Sequence, residues 1–151
     1  MQSSVAQEVA ILAMRSGPDV ALSFEKENRG GFLYITCLEG IPHQLCEVGN
    51  PPEEMVEEYI ARSREAIEPL LHNENNYILD KGYNEGAVLV TRNDGGIISF
   101  YGFSEKVNLA FSLALARATG LVSKQEFCII TGEARIESLA DTISNIVEGY
   151  V

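Results

Sequence analysis

Residues 86–120, which we call the organising stretch, most constrain how this chain can fold. Two short runs rich in β-branched residues, 86–92 and 97–103, flank the turn sequence Asn-Asp-Gly-Gly at 93–96. Asn, Asp and Gly tolerate the positive φ angles that a tight turn needs. The pattern therefore predicts a β-hairpin.

The helix that comes after this hairpin is predicted to be buried on more than one side. Ser104 is its expected N-cap, and the helix should run from Glu105 to about Thr119 and end at Gly120, which can adopt a left-handed conformation. Because apolar side chains surround most of its circumference, we expect it to lie at the centre of the core, packed on the sheet. These side chains are Val107, Leu109, Ala110, Phe111, Leu113, Ala114, Leu115, Ala116 and Ala118.

Two interpretations are open for the polar residues of this helix. Asn108, Ser112 and Thr119 lie along one line of it, and Lys106 and Arg117 along another. In the first interpretation both lines are solvent-exposed edges, the commoner arrangement on a helix. In the second, Asn108 and Ser112 line an internal polar pocket.

The first half of the chain predicts one helix and two strands. A helix should begin near Ser4, with Gln7 in position for a capping box, and end at Gly17-Pro18. The alternation at 20–25 and the apolar run 32–38 predict strands. A loop is expected over 40–50, where no regular pattern is present.

Two further helices are predicted, one on each side of the organising stretch. Asn50 is the expected N-cap of the first, which continues to about Leu71 with a favourable Glu58–Arg62 pair.

A short strand at 77–79 and a buried strand at 126–131 are also expected. A final amphipathic helix should start near Gly132. Its apolar stripe is Ile136, Leu139, Ala140, Ile143, Ile146 and Val147.

The order of these elements predicts the fold class. Strand, Asn-Arg-Gly-Gly at 28–31, strand and helix match strand, Asn-Asp-Gly-Gly at 93–96, strand and helix, which suggests two ββα-like units that share a sheet. We therefore predict a single α+β domain over residues 1–151. Its mostly antiparallel sheet should have about five to six strands, with an N-terminal and a C-terminal helix packed on it.

The charge of the chain argues against several classes of partner. There are 11 Lys and Arg against 22 Asp and Glu, a formal net charge of −11. Nucleic-acid binding depends on basic residues that neutralise phosphates, so neither DNA nor RNA is expected. No apolar run approaches the ~18 residues of a membrane span, and the N-terminus lacks the pattern of a secretory signal. An acidic surface favours basic protein partners.

The cysteines indicate a compartment but no metal site. Cys37, Cys46 and Cys128 are an odd number without disulfide-rich spacing, which predicts a reducing, cytoplasmic location. Together with His43, they are the best candidates in the chain for zinc ligands. Zinc sites usually use close pairs of ligands, however, whereas Cys37 and Cys46 are nine residues apart. Cys46 and His43 also lack an orienting acid for nucleophilic catalysis. No metal or cofactor is predicted.

One segment resembles part of a known family. The run Asp-Gly-Gly-Ile-Ile-Ser-Phe-Tyr-Gly-Phe-Ser-Glu-Lys-Val-Asn at 94–108 is similar to the last hairpin and helix of the small profilin-like, haem-associated proteins. The family's Gly-Val-Ser-Gly segment is replaced here by Tyr101-Gly-Phe-Ser104, so no haem-binding residue is carried over. The order of short hairpins and helices, together with the acidic charge, is also similar to that of small dimeric secretion chaperones.

Two functional hypotheses remain. The first is a non-enzymatic, acidic protein-binding module of the chaperone, inhibitor, immunity or regulatory kind, which acts through surface and sheet-edge contacts and forms a homodimer. Its expected partner-binding residues are Glu53, Glu54, Glu57 and Glu58. The alternative is a small-ligand binding protein or minor enzyme with a pocket between helix 105–119 and the sheet. The expected ligand-binding residues are Tyr101, Asn108, Ser112 and His43.

Overall fold

A computed structural model describes most of the chain. The described residues are 1–26, 29–37, 42–71, 82–90 and 92–151, without the side chains of Arg29 and His43. They form five α-helices, five strands and one 3₁₀ turn. In chain order these are α1 Ser3–Phe24, β1 Arg29–Thr36, β2 Pro42–Asn50, the 3₁₀ turn Glu53–Met55, α2 Val56–Leu71, β3 Tyr83–Asn84, β4 Ala87–Val90, β5 Gly96–Tyr101, α3 Glu105–Ala118, α4 Lys124–Ala134 and α5 Glu137–Glu148.

The strands form one antiparallel sheet in the order β2-β1-β5-β4-β3. Phe32 of β1 pairs with Glu47 of β2 on one side and with Tyr101 of β5 on the other. The predicted α+β class with a mostly antiparallel sheet is confirmed. Among the described strands, this order places the long strand β2 at one edge and the two-residue strand β3 at the other.

Helices cover both faces of the sheet. On one face α1 packs on β1 and β2, and α3 packs on β4 and β5; α5 contacts both of these helices. Phe100, Phe103 and Phe111 meet at the centre of this layer, with ring centroids 4.6–5.8 Å apart. On the other face α2 covers a smaller apolar cluster with Ile67, Leu70 and Ile97.

The organising stretch folds as predicted. Asn93, Asp94 and Gly95 have φ angles of 57°, 67° and 78° in the turn between β4 and β5. Every residue of α3 from 107 to 116 is buried, and the helix is followed by Gly120 with φ 77°. Ser104 occupies the N-cap position, although its side chain makes no capping hydrogen bond.

The prediction that the first helix ends at Gly17-Pro18 was wrong. Helix α1 continues through Pro18 to Phe24, so the expected strand at 20–25 is helical. Val20 and Ala21 are buried in the same apolar cluster as Ala13, and this packing outweighs the hydrogen bond that the proline removes. At the start, Gln2 is the N-cap without a side-chain bond, and the Ser4–Gln7 capping box does not form.

The expected loop at 40–50 is largely strand β2. Its partner is β1, with Cys46 opposite Leu33 and Val48 opposite Gly31. Val48 is fully buried under α1, whereas Leu45 on the opposite face is 40% exposed. The strand was missed because its stability comes from pairing with β1, not from a local run of β-branched residues.

The expected strand at 126–131 is helix α4. A capping box begins it: Ser123 Oγ accepts from the Glu126 amide at 3.1 Å, and Glu126 Oε1 accepts from the Ser123 amide at 3.0 Å. Phe127, Ile130 and Thr131 are buried at helical spacing. The final helix accordingly begins at Glu137, later than predicted, and its apolar stripe packs inside the core.

The remaining element boundaries differ less from the predicted ones. Asn50 is the last residue of β2 and not a helix N-cap, because Pro51 and Pro52 separate it from the 3₁₀ turn. The Glu58–Arg62 pair is confirmed, at 3.9 Å. The strand expected at 77–79 lies outside the described residues. Hairpin and helix do occur twice, as β1-β2-α2 and β4-β5-α3, but the two-unit repeat itself stays a prediction.

Candidate functional site

Two of the predicted ligand-binding residues share one recess. Tyr101 at the end of β5 and Asn108 in the first turns of α3 line a cavity of about 240 Å³. Glu85 and Gly86 of the turn between β3 and β4 also line it, as does Arg62 of α2, the helix on the other face of the sheet. The complete lining, which we call the Asn108 recess, is Arg62, Glu85, Gly86, Tyr101, Phe103, Glu105 and Asn108.

Asn108 is buried and only half satisfied. The residue is 2% exposed, and Oδ1 accepts a hydrogen bond from the Phe103 amide at 2.9 Å. In the described part of the chain, no group accepts a hydrogen bond from its Nδ2. The interpretation of Asn108 and Ser112 as solvent-exposed is therefore wrong.

Ser112 supports the recess without lining it. The side chain is fully buried, and Oγ donates to the Gly86 carbonyl at 2.7 Å. The Phe100 amide donates to the same carbonyl at 3.2 Å. A Cβ at residue 86 would lie 2.2 Å from the Phe100 carbonyl oxygen, so only glycine allows this approach. The two bonds fix the peptide that forms one wall.

Charges of both signs border the recess. Glu85 and Glu105 contribute carboxylates, and Arg62 contributes a guanidinium. The pair of Arg62 with Glu58 is long, and both side chains are about half exposed, so it binds the guanidinium weakly. Arg62 can therefore turn towards a bound group. The Tyr101 ring packs against Tyr59, with centroids 5.5 Å apart.

His43 is not brought to this recess. Its backbone lies in β2 between Pro42 and Gln44, which pair with Thr36 and Ile35. Tyr101 pairs with Phe32 near the other end of β1. The His43 side chain lies outside the part of the chain that the structure describes.

The cysteines do not form a reactive or metal-binding group in the described structure. Burial raises the pKa of the Cys46 thiol to about 11, which suppresses the thiolate. Cys128 is exposed on α4, and Cys37 is partly buried after β1. No cluster of three or more His, Cys, Asp or Glu side chains able to hold a metal ion occurs among the described residues.

The predicted partner-binding glutamates lie close together in the chain and at the surface. Glu53 and Glu54 are in the 3₁₀ turn, and Glu57 and Glu58 begin α2. All four are exposed. They come directly after β2, so this acidic cluster lies beside one end of the edge strand. Glu47 of β2 is also exposed.

The edge strand has an apolar neighbour that the sequence analysis missed. Ile11, Met14 and Leu22 of α1 are 38%, 43% and 73% exposed, and Pro18 is exposed between them. Their spacing places them on one face of the helix, which we call the α1 stripe. The sequence would have indicated this apolar stripe if the predicted first helix had been extended past Pro18.

Packing places the middle of the α1 stripe on the side of the open edge. Leu12 lines a cleft shared with Ala118 and Thr119 of α3, and Ile11 at one end of the stripe borders the same cleft. Met14 is about 200° round the helix from Leu12, so it lies on the flank turned away from α3. Because α1 lies over β1 and β2, this flank is next to the outer side of β2. No described strand pairs with that side.

No protein-family model, no curated protein and no solved structure matches this chain. The resemblance of residues 94–108 to the profilin-like, haem-associated family therefore stays a prediction. Among the described residues, no helix has the length and apolar character needed to cross a bilayer.

Proposed function

We propose that this chain is a non-enzymatic protein-binding module that accepts an extended segment of another polypeptide along β2. The observation that carries the proposal is the nine-residue strand β2 at the edge of the described sheet, with exposed Met14 of the α1 stripe on its side. An open strand edge presents a row of backbone donors and acceptors that an added strand satisfies. The stripe supplies an apolar contact for the residues of the partner that flank its added strand.

Charge indicates the chemistry of the partner. The acidic cluster and Glu47 flank the edge, and the whole chain has a net charge of −11. A segment with basic residues alternating with apolar ones would pair with the edge and be steered to it. The free cysteines are consistent with the cytoplasmic location that forms part of the proposal.

When no partner is present, we expect a second copy of the chain to pair with the outer side of β2. Antiparallel pairing of two β2 edges about a two-fold axis would bring the Met14 flanks of the two α1 helices together. The alternative dimer surface, the apolar stripe of α5, is already covered, since Ile143 and Val147 are fully buried. Two acidic chains repel each other, so the homodimer should tighten as salt is added.

The experiment for the homodimer measures the mass of the particle in solution. Light scattering across a concentration series should show a dimer for the native chain, and a monomer for the variant Met14→Glu with Leu22→Glu. Ile129→Glu, which changes an exposed apolar residue on α4, is the matched control and should remain dimeric. A native chain that stays monomeric, or a stripe variant that stays dimeric, would contradict the homodimer.

The partner chemistry is tested with synthetic strands. A peptide of alternating Lys and Val should bind in fluorescence anisotropy, and binding should weaken with salt and in Glu53→Lys with Glu57→Lys. A peptide of alternating Glu and Val is the control and should not bind. Equal binding of the two peptides would contradict a basic partner. So would an unchanged affinity of the charge-reversed variant for the Lys-Val peptide at low salt.

A further inference from the structure

We propose that the Asn108 recess is a second, independent site that binds a small zwitterion carrying an ammonium and a carboxylate, the chemistry of a free α-amino acid. None of its lining residues belongs to α1 or β2, so the inference does not rest on the protein-binding function. It rests on the unpaired amide of Asn108 and on the arrangement of charge around it.

The amide of Asn108 requires an acceptor. With Oδ1 committed to the Phe103 amide, the group that remains is Nδ2, which can only donate. The side chain is almost completely buried in the protein, yet it lines an open recess. A carboxylate oxygen placed in the recess would satisfy this donor, and Arg62 could approach the same group from α2.

The carboxylates require a cation. Glu85 and Glu105 line the same recess, and no basic side chain other than Arg62 does so in the described part of the chain. Glu85 has φ 51° at the β3–β4 turn, next to Gly86, whose carbonyl is held by Ser112. An ammonium group between the two glutamates would neutralise their charge without displacing either element.

Single-charge ligands fit less well. An inorganic anion or a simple carboxylate would meet Arg62 and Asn108 but would be repelled by both glutamates. A cation without an acceptor would pair with the glutamates but would leave Asn108 Nδ2 unsatisfied and be repelled by Arg62. A zwitterion satisfies all four groups, and the Tyr101 and Phe103 rings provide an apolar wall for a side chain.

Size supports the same class. The cavity of about 240 Å³ lies below the range of roughly 300–1,000 Å³ typical of sites for drug-sized ligands. An amino acid with a short or medium side chain fits within this volume. The volume is therefore compatible with a metabolite of amino-acid size.

The test is calorimetric titration of the intact chain with the proteinogenic L-α-amino acids. Butylamine and butyrate, which each carry one of the two charges, are the matched ligand controls. At least one amino acid should bind, and both controls should bind at least about tenfold more weakly, the loss expected when one charge-assisted interaction is missing. Binding of butyrate or butylamine as tight as that of every amino acid would overturn the proposal.

Two variants separate the site from general effects on the fold. Asn108→Asp keeps an acceptor for the Phe103 amide and replaces the Nδ2 donor by an oxygen, so the amino acid should bind at least about tenfold more weakly. Arg62→Gln alters a half-exposed side chain outside the core and should have a similar effect. Glu65→Gln, at an exposed glutamate of α2 outside the recess, is the control and should bind like the native chain.

Binding measurements on these variants can either support or overturn the proposed site. If Asn108→Asp fails to fold, Arg62→Gln alone decides, since its side chain is not part of the core. Weakened amino-acid binding in Arg62→Gln with native binding in Glu65→Gln would support the site. No amino-acid binding by the native chain, or native affinity in Arg62→Gln, would overturn the proposal.

Discussion

Gly17 in α1 packs directly against Val48 in β2. A Cβ at residue 17 would lie 2.1 Å from Cγ1 of Val48, closer than any real contact of that kind. This approach holds α1 down on the edge strand, and it explains why a glycine beside a proline lies in a long helix. The same contact places the Met14 flank of α1 next to β2.

Gly17→Ala should therefore destabilise the fold. The added methyl group overpacks the contact with Val48, at a cost of about 1–3 kcal/mol in the free energy of unfolding. Urea denaturation measures the change. In a Val48→Ala background the clash is relieved, so the same substitution should become neutral or stabilising.

Gly132→Ala is the matched control for this prediction. Residue 132 is an exposed glycine in α4 with no atom within 4 Å of an added Cβ, so alanine should stabilise the helix by about 0.5–1 kcal/mol. Equal effects at residues 17 and 132 would contradict the proposed role of Gly17.

Ser112→Ala should destabilise the chain by about 1 kcal/mol. The substitution removes the buried hydrogen bond of 2.7 Å to the Gly86 carbonyl, although the Phe100 amide still donates to that oxygen. Thermal unfolding measures the loss. Thr142→Ala removes a bond of 2.9 Å to the Ser138 carbonyl on the exposed side of α5 and should change stability by less than about 0.5 kcal/mol.

Glu126 should make part of the stability depend on pH. Hydrogen bonds from Ser123 hold the pKa of its carboxyl below the ordinary value of 4.5, and Arg92 at 3.7 Å adds to this. A lowered folded-state pKa means that the carboxylate stabilises the fold above its unfolded pKa, and that this contribution is lost as the pH falls through the folded pKa.

The comparison is with Glu126→Gln across a series of denaturation curves. The native chain should be more stable by a fraction of a kcal/mol at neutral pH, because the group is partly exposed. The two curves should converge as the pH falls below 4.5. A difference that stays constant over this range would show that the charge of Glu126 is not involved.

The thiols should react in a defined order. Alkylation near neutral pH proceeds through the thiolate, so exposed Cys128 should be modified before Cys46, whose pKa is raised by burial to about 11. Peptide mass spectrometry after timed quenching measures this order. In denaturant the two rates should become similar. Early modification of Cys46 in the native chain would contradict its burial.

The parts of the fold that could be predicted from sequence are those with local signals. The β4–β5 turn needs positive φ at successive residues, and Asn93, Asp94 and Gly95 are residues that tolerate it. Helix α3 is apolar on nearly every side, so its burial follows from its own residues. The placement of Tyr101 and Asn108 in one recess was also within reach, since both belong to this stretch.

The local signals at other positions were overridden or misjudged. Gly17-Pro18 is typical of a helix end, but burial of Val20 and Ala21 in the core carries α1 past it. The apolar run at 127–130 is typical of a strand, although the capping box from Ser123 to Glu126 shows why it is helical. That capping signal was present in the sequence and could have corrected the assignment.

By itself, the sequence determined the hairpin, the central helix, the acidic charge and the α+β class, because each depends on residues that are neighbours in the chain. Only the tertiary structure decided that β2 is an edge strand of the described sheet, that α1 lies over it, and that Arg62 and Glu85 line the same recess as Asn108. These arrangements depend on contacts between distant segments, where packing and pairing outweigh local propensity.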